Sequence, residues 1–167
     1  IFGSLVIVFF YILLRFQKWQ FSLGAVSAVF HDVLIVLGIF SLTYKIMPFN
    51  MEINQAFIAA LLTVIGYSLN DTVVVFDRIR EFFKIHSSWD SETTVNTALN
   101  STLSRTLNTS LTTLIVLTAI FIFGGESIRG FMFALIIGVM VGTYSSVFIA
   151  TPIMFDSYKK RKSNLQT

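Results

Sequence analysis

The sequence predicts an all-α membrane protein, a bundle of helices that crosses a bilayer several times. Of its 167 residues, 54% are hydrophobic and only 13% are charged, whereas soluble domains carry about 25% charged residues. The apolar residues gather into five segments, and four of these reach the roughly 20 residues that a helix needs to cross the hydrocarbon core. Inside lipid each segment has to satisfy its own backbone, so helix is the predicted conformation of all five.

The four complete spans are predicted at residues 21–44, 56–76, 103–123 and 131–155. Residues 1–14 are too short to cross the core, and we interpret them as the remaining part of a longer span. The chain is therefore expected to be a fragment, and residues 1–155 together are predicted to form one transmembrane domain.

The longest connection, residues 77–102, is predicted to contain an amphipathic helix. Its first part extends the preceding helix, Ser87, Ser88 and Trp89 interrupt it, and Asp90 or Ser91 can cap the next helix. A structureless basic loop is the alternative for this segment. The connections at 45–55 and 124–130 are predicted as plain turns.

Lysine and arginine predict the direction of the spans. Nine of them lie at 15–18, 78–84 and 159–162, and only Lys45 and Arg129 lie in the connections on the other side. Because cytoplasmic connections carry the excess of basic residues, the first set is predicted to be cytoplasmic. Residues 156–167 then form a basic cytoplasmic tail.

A single carboxylate, Asp71, interrupts the apolar residues 56–76. An ionisable group at that depth costs roughly 2.5–3.5 kcal/mol on insertion scales, so its presence points to function. Burial without a partner raises the pKa of a carboxyl group and a nearby cation lowers it, so alternation between the two would bind and release a proton. A structural aspartate bonded permanently to a neighbouring helix is the alternative. The supporting polar neighbours are Asn70, Tyr67 and Ser68.

Arg105 is the natural counter-charge for Asp71. It belongs to a polar face of one helix whose members are spaced i, i+4, i+7 and i+11: Ser101, Arg105, Asn108 and Thr112. Thr109 widens this face. A lipid-facing surface would not carry so many hydrogen-bonding groups, so this face is expected to meet other helices or a wet cavity. Arg105 either pairs with Asp71 or reaches to the headgroups, and both interpretations stay open.

His31 and Asp32 lie near the middle of the second segment. Adjacent residues point about 100° apart on a helix, so the two need not serve one site. Gly24, Ala28 and Asp32 share a face, which predicts a close helix contact at Asp32. A proton relay through His31 is chemically reasonable, and a structural role is the alternative for both residues.

Small residues recur every four positions in the last segment. Such a seam lets membrane helices approach closely, so its predicted role is packing. Its members are Gly130, Ala134, Gly138, Gly142, Ser146 and Ala150.

The sequence gives no support to several other classes of function. With no cysteine and two histidines, thiolate or His-rich metal sites are not expected, and neither is a cofactor. No nucleophile elbow, phosphate loop or HExxH motif occurs, so an enzyme is not predicted. The basic residues lie beside apolar spans rather than in a nucleic-acid-binding patch, so the expected surroundings are lipid.

Residues 66–81, GYSLNDTVVVFDRIRE, resemble the fourth-helix signature of the SecF family of bacterial protein-translocation subunits. Residues 31–42 resemble the third helix of that family, residues 100–114 the fifth and residues 130–152 the sixth. The resemblance covers nearly the whole chain. It implies half of an RND-type transporter with six spans, of which the first span and the periplasmic domain that follows it are missing here.

The resemblance also implies a function and a set of partners. Members of the family use the proton-motive force to assist preprotein export through SecYEG across the bacterial cytoplasmic (inner) membrane. SecD supplies the pseudosymmetric half, with YajC and YidC as further partners. By motif position, Asp71 and Arg105 fall on intramembrane residues linked to proton flow, and His31 and Asp32 fall on a recurring motif of less certain role. The alternatives are a purely structural subunit and half of a small-molecule exporter.

Overall fold

Six helices make up the described part of the chain; the computed structural model describes residues 2–164. They are α1 (Phe2–Phe16), α2 (Trp19–Thr43), α3 (Gln55–Ile85), α4 (Ser91–Phe123), α5 (Glu126–Ser145) and α6 (Thr151–Asn164), with a π-helical turn at Ser146–Ala150. No strand occurs between residues 2 and 164, and the prediction of an all-α helix bundle is confirmed. Residue 1 of the first predicted segment and residues 165–167 of the predicted tail lie outside the described residues.

Four helical units within residues 2–164 are long and apolar enough to cross a membrane. They are α2, α3, α4 and the continuous helical unit of α5 and α6, and the shorter apolar helix Leu5–Phe16 accompanies them. The α3 and α4 helices have 31 and 33 residues, so they extend beyond the predicted spans. Most of the predicted connection 77–102 is therefore helical, and only residues 86–90 separate α3 from α4.

Side-chain caps and flanking glycines account for several helix ends. The Asn54 side chain accepts a hydrogen bond from the Phe57 N–H at the start of α3, and Asp90 accepts one from the Glu92 N–H at the start of α4. The α4 helix ends at Gly124, and α5 begins at Glu126, five residues before the predicted start of the last span. An acidic side chain in the first turn is favourable at a helix N-terminus, which explains this early start.

The α2, α3 and α5 helices form the centre of the bundle. The α1 and α6 helices pack on α2, and α4 packs on α3 and α5. One apolar cluster joins α1, the first half of α2, the second half of α3 and α6. A second cluster joins the second half of α2, the first half of α3 and the middle of α5. The polar residues discussed below lie between these two clusters.

The small residues of α5 bring it into direct contact with α3. A Cβ atom added at Gly138 would overlap the Val64 side chain, and one added at Gly142 would lie 3.1 Å from the Cβ of Ser68. Gly130 faces the backbone of Asn50 in the same way, and Ala134 and Ser146 are fully buried. This short distance between helices allows hydroxyl groups of α3 and α5 to reach one common acceptor.

The α4 helix is the least covered of the spans. Only 11% of its most apolar window is buried, against 44% in each of the other three units. Its buried side is the row Thr94, Ala98, Thr102, Thr106 and Ser110. The opposite side has no neighbour among residues 2–164, so a large lipid or protein contact area remains on α4.

Candidate intramembrane charge site

Two aspartates are buried at the middle of the bundle, on different helices. Asp32 of α2 is 1% exposed and Asp71 of α3 is 4% exposed. Each lies in a helix that is long and apolar enough to span a membrane. An unpaired carboxylate is costly in such surroundings, so the partners of each aspartate determine what it can do.

Asp32 is held by hydrogen bonds from three directions. The Ser68 hydroxyl on α3 and the Ser145 hydroxyl on α5 donate to Asp32 Oδ2 at 2.5 Å and 2.7 Å. His31 Nδ1 lies 3.1 Å from Asp32 Oδ1, so these adjacent residues do interact with each other. The Asp32 carboxyl thereby joins the three central helices.

The position of Asp32 depends on close packing on both sides of α2. Gly24, two turns earlier, lies against the backbone carbonyl of Ala150 and leaves no room for a Cβ atom. Ala28 on the same face is fully buried. The π-helical turn that ends at Ala150 is closed by Thr151, whose hydroxyl donates to the Ser146 carbonyl at 2.9 Å. The α2 helix can therefore approach α5 and α6 closely enough for Asp32 to meet Ser145.

Asp71 has a different environment. Its Oδ2 atom is buried and has no hydrogen-bond partner in the described part of the chain. The neighbouring charged and hydroxyl groups of this carboxyl, Arg105 and Ser110, both lie on α4. The three ion pairs within residues 2–164 do not include Asp71 and Arg105. Arg105 therefore forms no direct salt bridge with Asp71 in this structure.

A chain of hydroxyl groups lies beside Asp71. The Tyr67 hydroxyl donates to Ser110 Oγ at 3.3 Å, and Ser110 Oγ lies 2.5 Å from Thr143 Oγ1. Thr143 also donates to the Val139 carbonyl at 2.7 Å. Since hydroxyl groups both donate and accept, this chain provides polar contacts across α3, α4 and α5 next to the carboxylate.

Arg105 lines an open cleft between the C-terminal half of α3 and the N-terminal half of α4. The cleft has a volume of about 370 Å³, and its other charged lining residues are Asp77, Arg78 and Glu81. Arg78 is paired with Glu81 at 2.7 Å, and Asp77 with Arg15 at 3.0 Å. Arg105 thus lies between this cleft and the buried Asp71.

The predicted supporting residues separate into two groups. Tyr67 and Ser68 lie inside the bundle, where they bond to Ser110 and Asp32 respectively. The others are exposed on this chain, and the hydroxyls of Thr109 and Thr112 bond to carbonyls of their own helix. The exposed group is Asn70, Asn108, Thr109 and Thr112.

Three functional contacts were missed by the sequence reasoning: Ser110, Thr143 and Ser145. Ser110 has a detectable signal, because it follows Thr102 and Thr106 at spacings of four and shares their buried face. Ser145 and Thr143 lie beside the small-residue seam, and no spacing rule identifies which hydroxyl there meets α2 or α4. Among the described residues, no group of three His, Asp or Glu side chains is placed to hold a metal ion.

Comparison with known proteins places this geometry in a family. The sequence profile of the family described as "Protein export membrane protein SecD/SecF, C-terminal" matches residues 1–160. The protein translocase subunit SecF of Rhodothermus marinus is 59% identical over 156 residues, which are 93% of this chain and 50% of that protein. The SecF subunit of Petrotoga mobilis is 47% identical over 159 residues, again 50% of its length. The chain thus spans about half the length of the curated relatives it matches.

Two solved structures have the same arrangement of helices. A crystal structure of SecDF in a super-membrane-facing form matches with a TM-score of 0.85 and 40% identity, over 97% of this chain and 21% of the other. The SecDF structure from Thermus thermophilus, described as a translocon-associated membrane protein, matches with a TM-score of 0.79 and 41% identity, over 91% and 20%.

Proposed function

This chain belongs to the SecD/SecF family of protein export membrane proteins, and we propose that it is a proton-coupled half of a SecDF-type export complex. In this proposal, the complex uses the proton-motive force to assist preprotein movement through SecYEG across the bacterial inner membrane. The excess of basic residues at one end of the bundle supports a cytoplasmic C-terminus. The coupling ion is a proton, and YajC and YidC are further partners.

The observation that carries the proposal is the buried, partnerless oxygen of Asp71 beside the field of Arg105. Burial disfavours a charged carboxylate in this position, and the positive charge of Arg105 favours it. Uptake of a proton therefore removes the cost of burying a charge and, at the same time, the attraction to Arg105. A proton taken up here removes the charge of Asp71 and weakens its attraction to α4. Proton binding is thereby coupled to the packing of α4.

The exposed polar side of α4 supports a second membrane half as the partner. Asn108 and Thr112 lie on that side together with Arg105, and all three are exposed on this chain. Polar groups that face hydrocarbon are costly, so a helix of SecD is proposed to cover them. The Asp71 carboxyl then lies one helix away from the contact between the halves.

The energies are sufficient for such coupling. One elementary charge moved through 100 mV yields about 2.3 kcal/mol. Coupling between sites in proteins is typically about 1–3 kcal/mol. One proton per cycle can therefore shift a two-state packing equilibrium by about fiftyfold. The small residues of α5 provide contacts along which the helices can move.

The test is the Asp71→Asn substitution in the complete protein, assembled with its partner subunit in inverted membrane vesicles. We expect normal assembly and loss of the proton-motive-force-dependent part of preprotein export, because the amide keeps the shape of the carboxyl but cannot change between a charged and a neutral form. Asp156→Asn is the matched control, since Asp156 is exposed on α6. Export in Asp71→Asn vesicles that still responds fully to the proton-motive force would contradict the coupling and favour the purely structural subunit.

A further inference from the structure

A basic pocket lies at the end of the bundle where the α1–α2 turn meets the ends of α3 and α6. It has a volume of about 430 Å³, which is within the range of about 300–1,000 Å³ that is usual for small-ligand sites. We use the term basic pocket for the cavity lined by Lys18, Arg80, Lys84, His86, Trp89 and Tyr158. It is separate from the Asp71 site and from the cleft at Arg105.

The charge of the basic pocket is unbalanced. Three of its residues are permanently cationic, and no carboxylate is among the described residues that line it. Lys18, Arg80 and Lys84 take part in none of the ion pairs within residues 2–164. One N–H group of Arg80 donates to the carbonyl of Arg15 at 3.4 Å, which fixes this side chain at the α1–α2 turn. The pocket is therefore a concentrated positive site without an anion from the described chain.

The N-terminus of α2 adds to the positive potential. Lys18 is the N-cap residue of α2 and gives no side-chain hydrogen bond to the first turn. Gln17 before it has φ of 55°, the one left-handed non-glycine residue in the described chain. This turn places Gln17, Lys18 and Phe21 in the wall of the pocket. Free N–H groups of a helix N-terminus attract anions, phosphate groups in particular.

Aromatic side chains give the pocket the composition that is typical of the lipid headgroup region. Trp89 stacks on His86 with a ring-centroid separation of 3.8 Å, and the Lys18 ammonium lies 5.5 Å from the centre of the Tyr158 ring. The apolar part of the wall consists of Phe16, Phe21 and Phe83. Tryptophan and tyrosine concentrate at the membrane–water interface. The pocket thus combines cationic side chains with an apolar wall.

We propose that the basic pocket binds the phosphodiester headgroup of an anionic phospholipid from the cytoplasmic leaflet. Basic pockets between transmembrane helices on that side are known to take anionic headgroups. Lys18 and Lys84 hold the phosphate by charge, the positive end of the α2 dipole adds to this attraction, and the aromatic side chains accommodate the glycerol and the start of the acyl chains. Free phosphate shares the charged contacts but cannot use the apolar wall.

The test is native mass spectrometry of the complete protein with its partner subunit, released from detergent containing phosphatidylglycerol or phosphatidylcholine. We expect selective retention of phosphatidylglycerol by the native complex. Each basic residue near a lipid surface contributes about fivefold, so Lys18→Gln combined with Lys84→Gln should reduce retention about 25-fold. The control is Lys159→Gln combined with Lys160→Gln, which removes the same charge at the same end of the bundle from residues that do not line the pocket. We expect the control to reduce retention clearly less than the pocket variant does, because the basic run at 159–162 attracts anionic lipid by charge alone and has no apolar wall to hold it.

Equal retention in the two double variants would overturn the proposal, as would complete displacement of the lipid by millimolar inorganic phosphate. A photo-crosslinking phosphatidylglycerol on the unsubstituted complex gives a measurement that does not depend on folding of the variants. Crosslinks are expected within residues 16–21 and 80–91. Crosslinks spread evenly over the lipid-facing helices, or crosslinks from a polypeptide of the partner in place of the lipid, would contradict it.

Discussion

Asp32 and Asp71 are two aspartates with the same chemistry and nearly the same burial, yet their surroundings differ. The Asp32 carboxyl has partners on three sides, all within this chain: His31, Ser68 and Ser145. The Asp71 carboxyl keeps one buried oxygen without a hydrogen-bond partner among the described residues, and its neighbouring charged and hydroxyl groups, Arg105 and Ser110, lie on α4. The α4 helix is also the span with the least coverage.

The difference indicates that burial alone does not identify a coupling carboxylate. A carboxyl with a full set of hydrogen bonds is held in one state and contributes to a fixed helix contact. A carboxyl with an incomplete set is sensitive to a proton, to the distance of a cation and to movement of the neighbouring helix. We therefore expect Asp32 to contribute mainly to stability and Asp71 mainly to coupling.

The largest expected effect is the contrast between Asp32→Ala and Asp71→Ala. Removal of the Asp32 carboxyl takes the acceptor from the buried Ser68 hydroxyl and leaves the Ser145 hydroxyl only the Gly142 carbonyl at 3.2 Å, so the free energy of unfolding should fall by about 2–4 kcal/mol. Removal of the Asp71 carboxyl should lower the free energy of unfolding by less than about 1 kcal/mol. The substitution also removes a buried oxygen without a partner, which is itself destabilising. Steric-trap unfolding of the complete protein in bicelles measures both. Equal losses in the two variants would mean that the two aspartates do not differ in this way.

The second prediction concerns the helix contact that allows the Asp32 network to form. In Gly142→Ala the new methyl group would lie 3.1 Å from Ser68 Cβ and 3.3 Å from its Cα. The α3 and α5 helices must separate slightly, and overpacking of this kind costs about 1–3 kcal/mol. The matched control is Gly66→Ala on α3, where a Cβ has no atom within 4 Å. The same unfolding measurement compares the two, and a Gly142 variant as stable as the Gly66 variant would contradict the close contact.

The smallest expected effect is that of Ser145→Ala. It removes one donor from Asp32 and leaves the Ser68 hydroxyl in place. A single hydrogen bond contributes about 1 kcal/mol, so the unfolding free energy should fall by about this amount. Ser41→Ala on the exposed side of α2 is the control. In the Asp32→Ala background the Ser145→Ala change should have almost no further effect, and full additivity of the two changes would show that these side chains do not interact.

Much of the fold follows from local properties of the sequence. The apolar segments predict helices, since a chain in lipid has few other ways to satisfy its backbone. The cap at Asp90 and the interruption of the helix at 86–90 depend only on residues close in the sequence, so both were predictable. The start of α5 was missed because it lies in a polar turn of helix outside the apolar segment, where hydropathy gives no signal.

The candidate site was predictable only in part. The charge of Asp71 within an apolar run is visible in the sequence, and so is the polar face that contains Arg105 and Asn108. The sequence does not indicate that Ser68, adjacent to the predicted Asp71 group, points instead to Asp32. It also does not indicate that Ser110 and Thr143 supply the hydroxyls beside Asp71.

The sequence by itself determined that the chain forms membrane helices, which ends of these helices carry the positive charge, and that carboxylates lie within them. These properties depend on residue composition and on spacing along one helix. Only the tertiary structure decided which carboxylate is bonded and which keeps a free oxygen. That outcome depends on the rotation and separation of α2, α3, α4 and α5, and a change of one small residue at a contact such as Gly142 alters both.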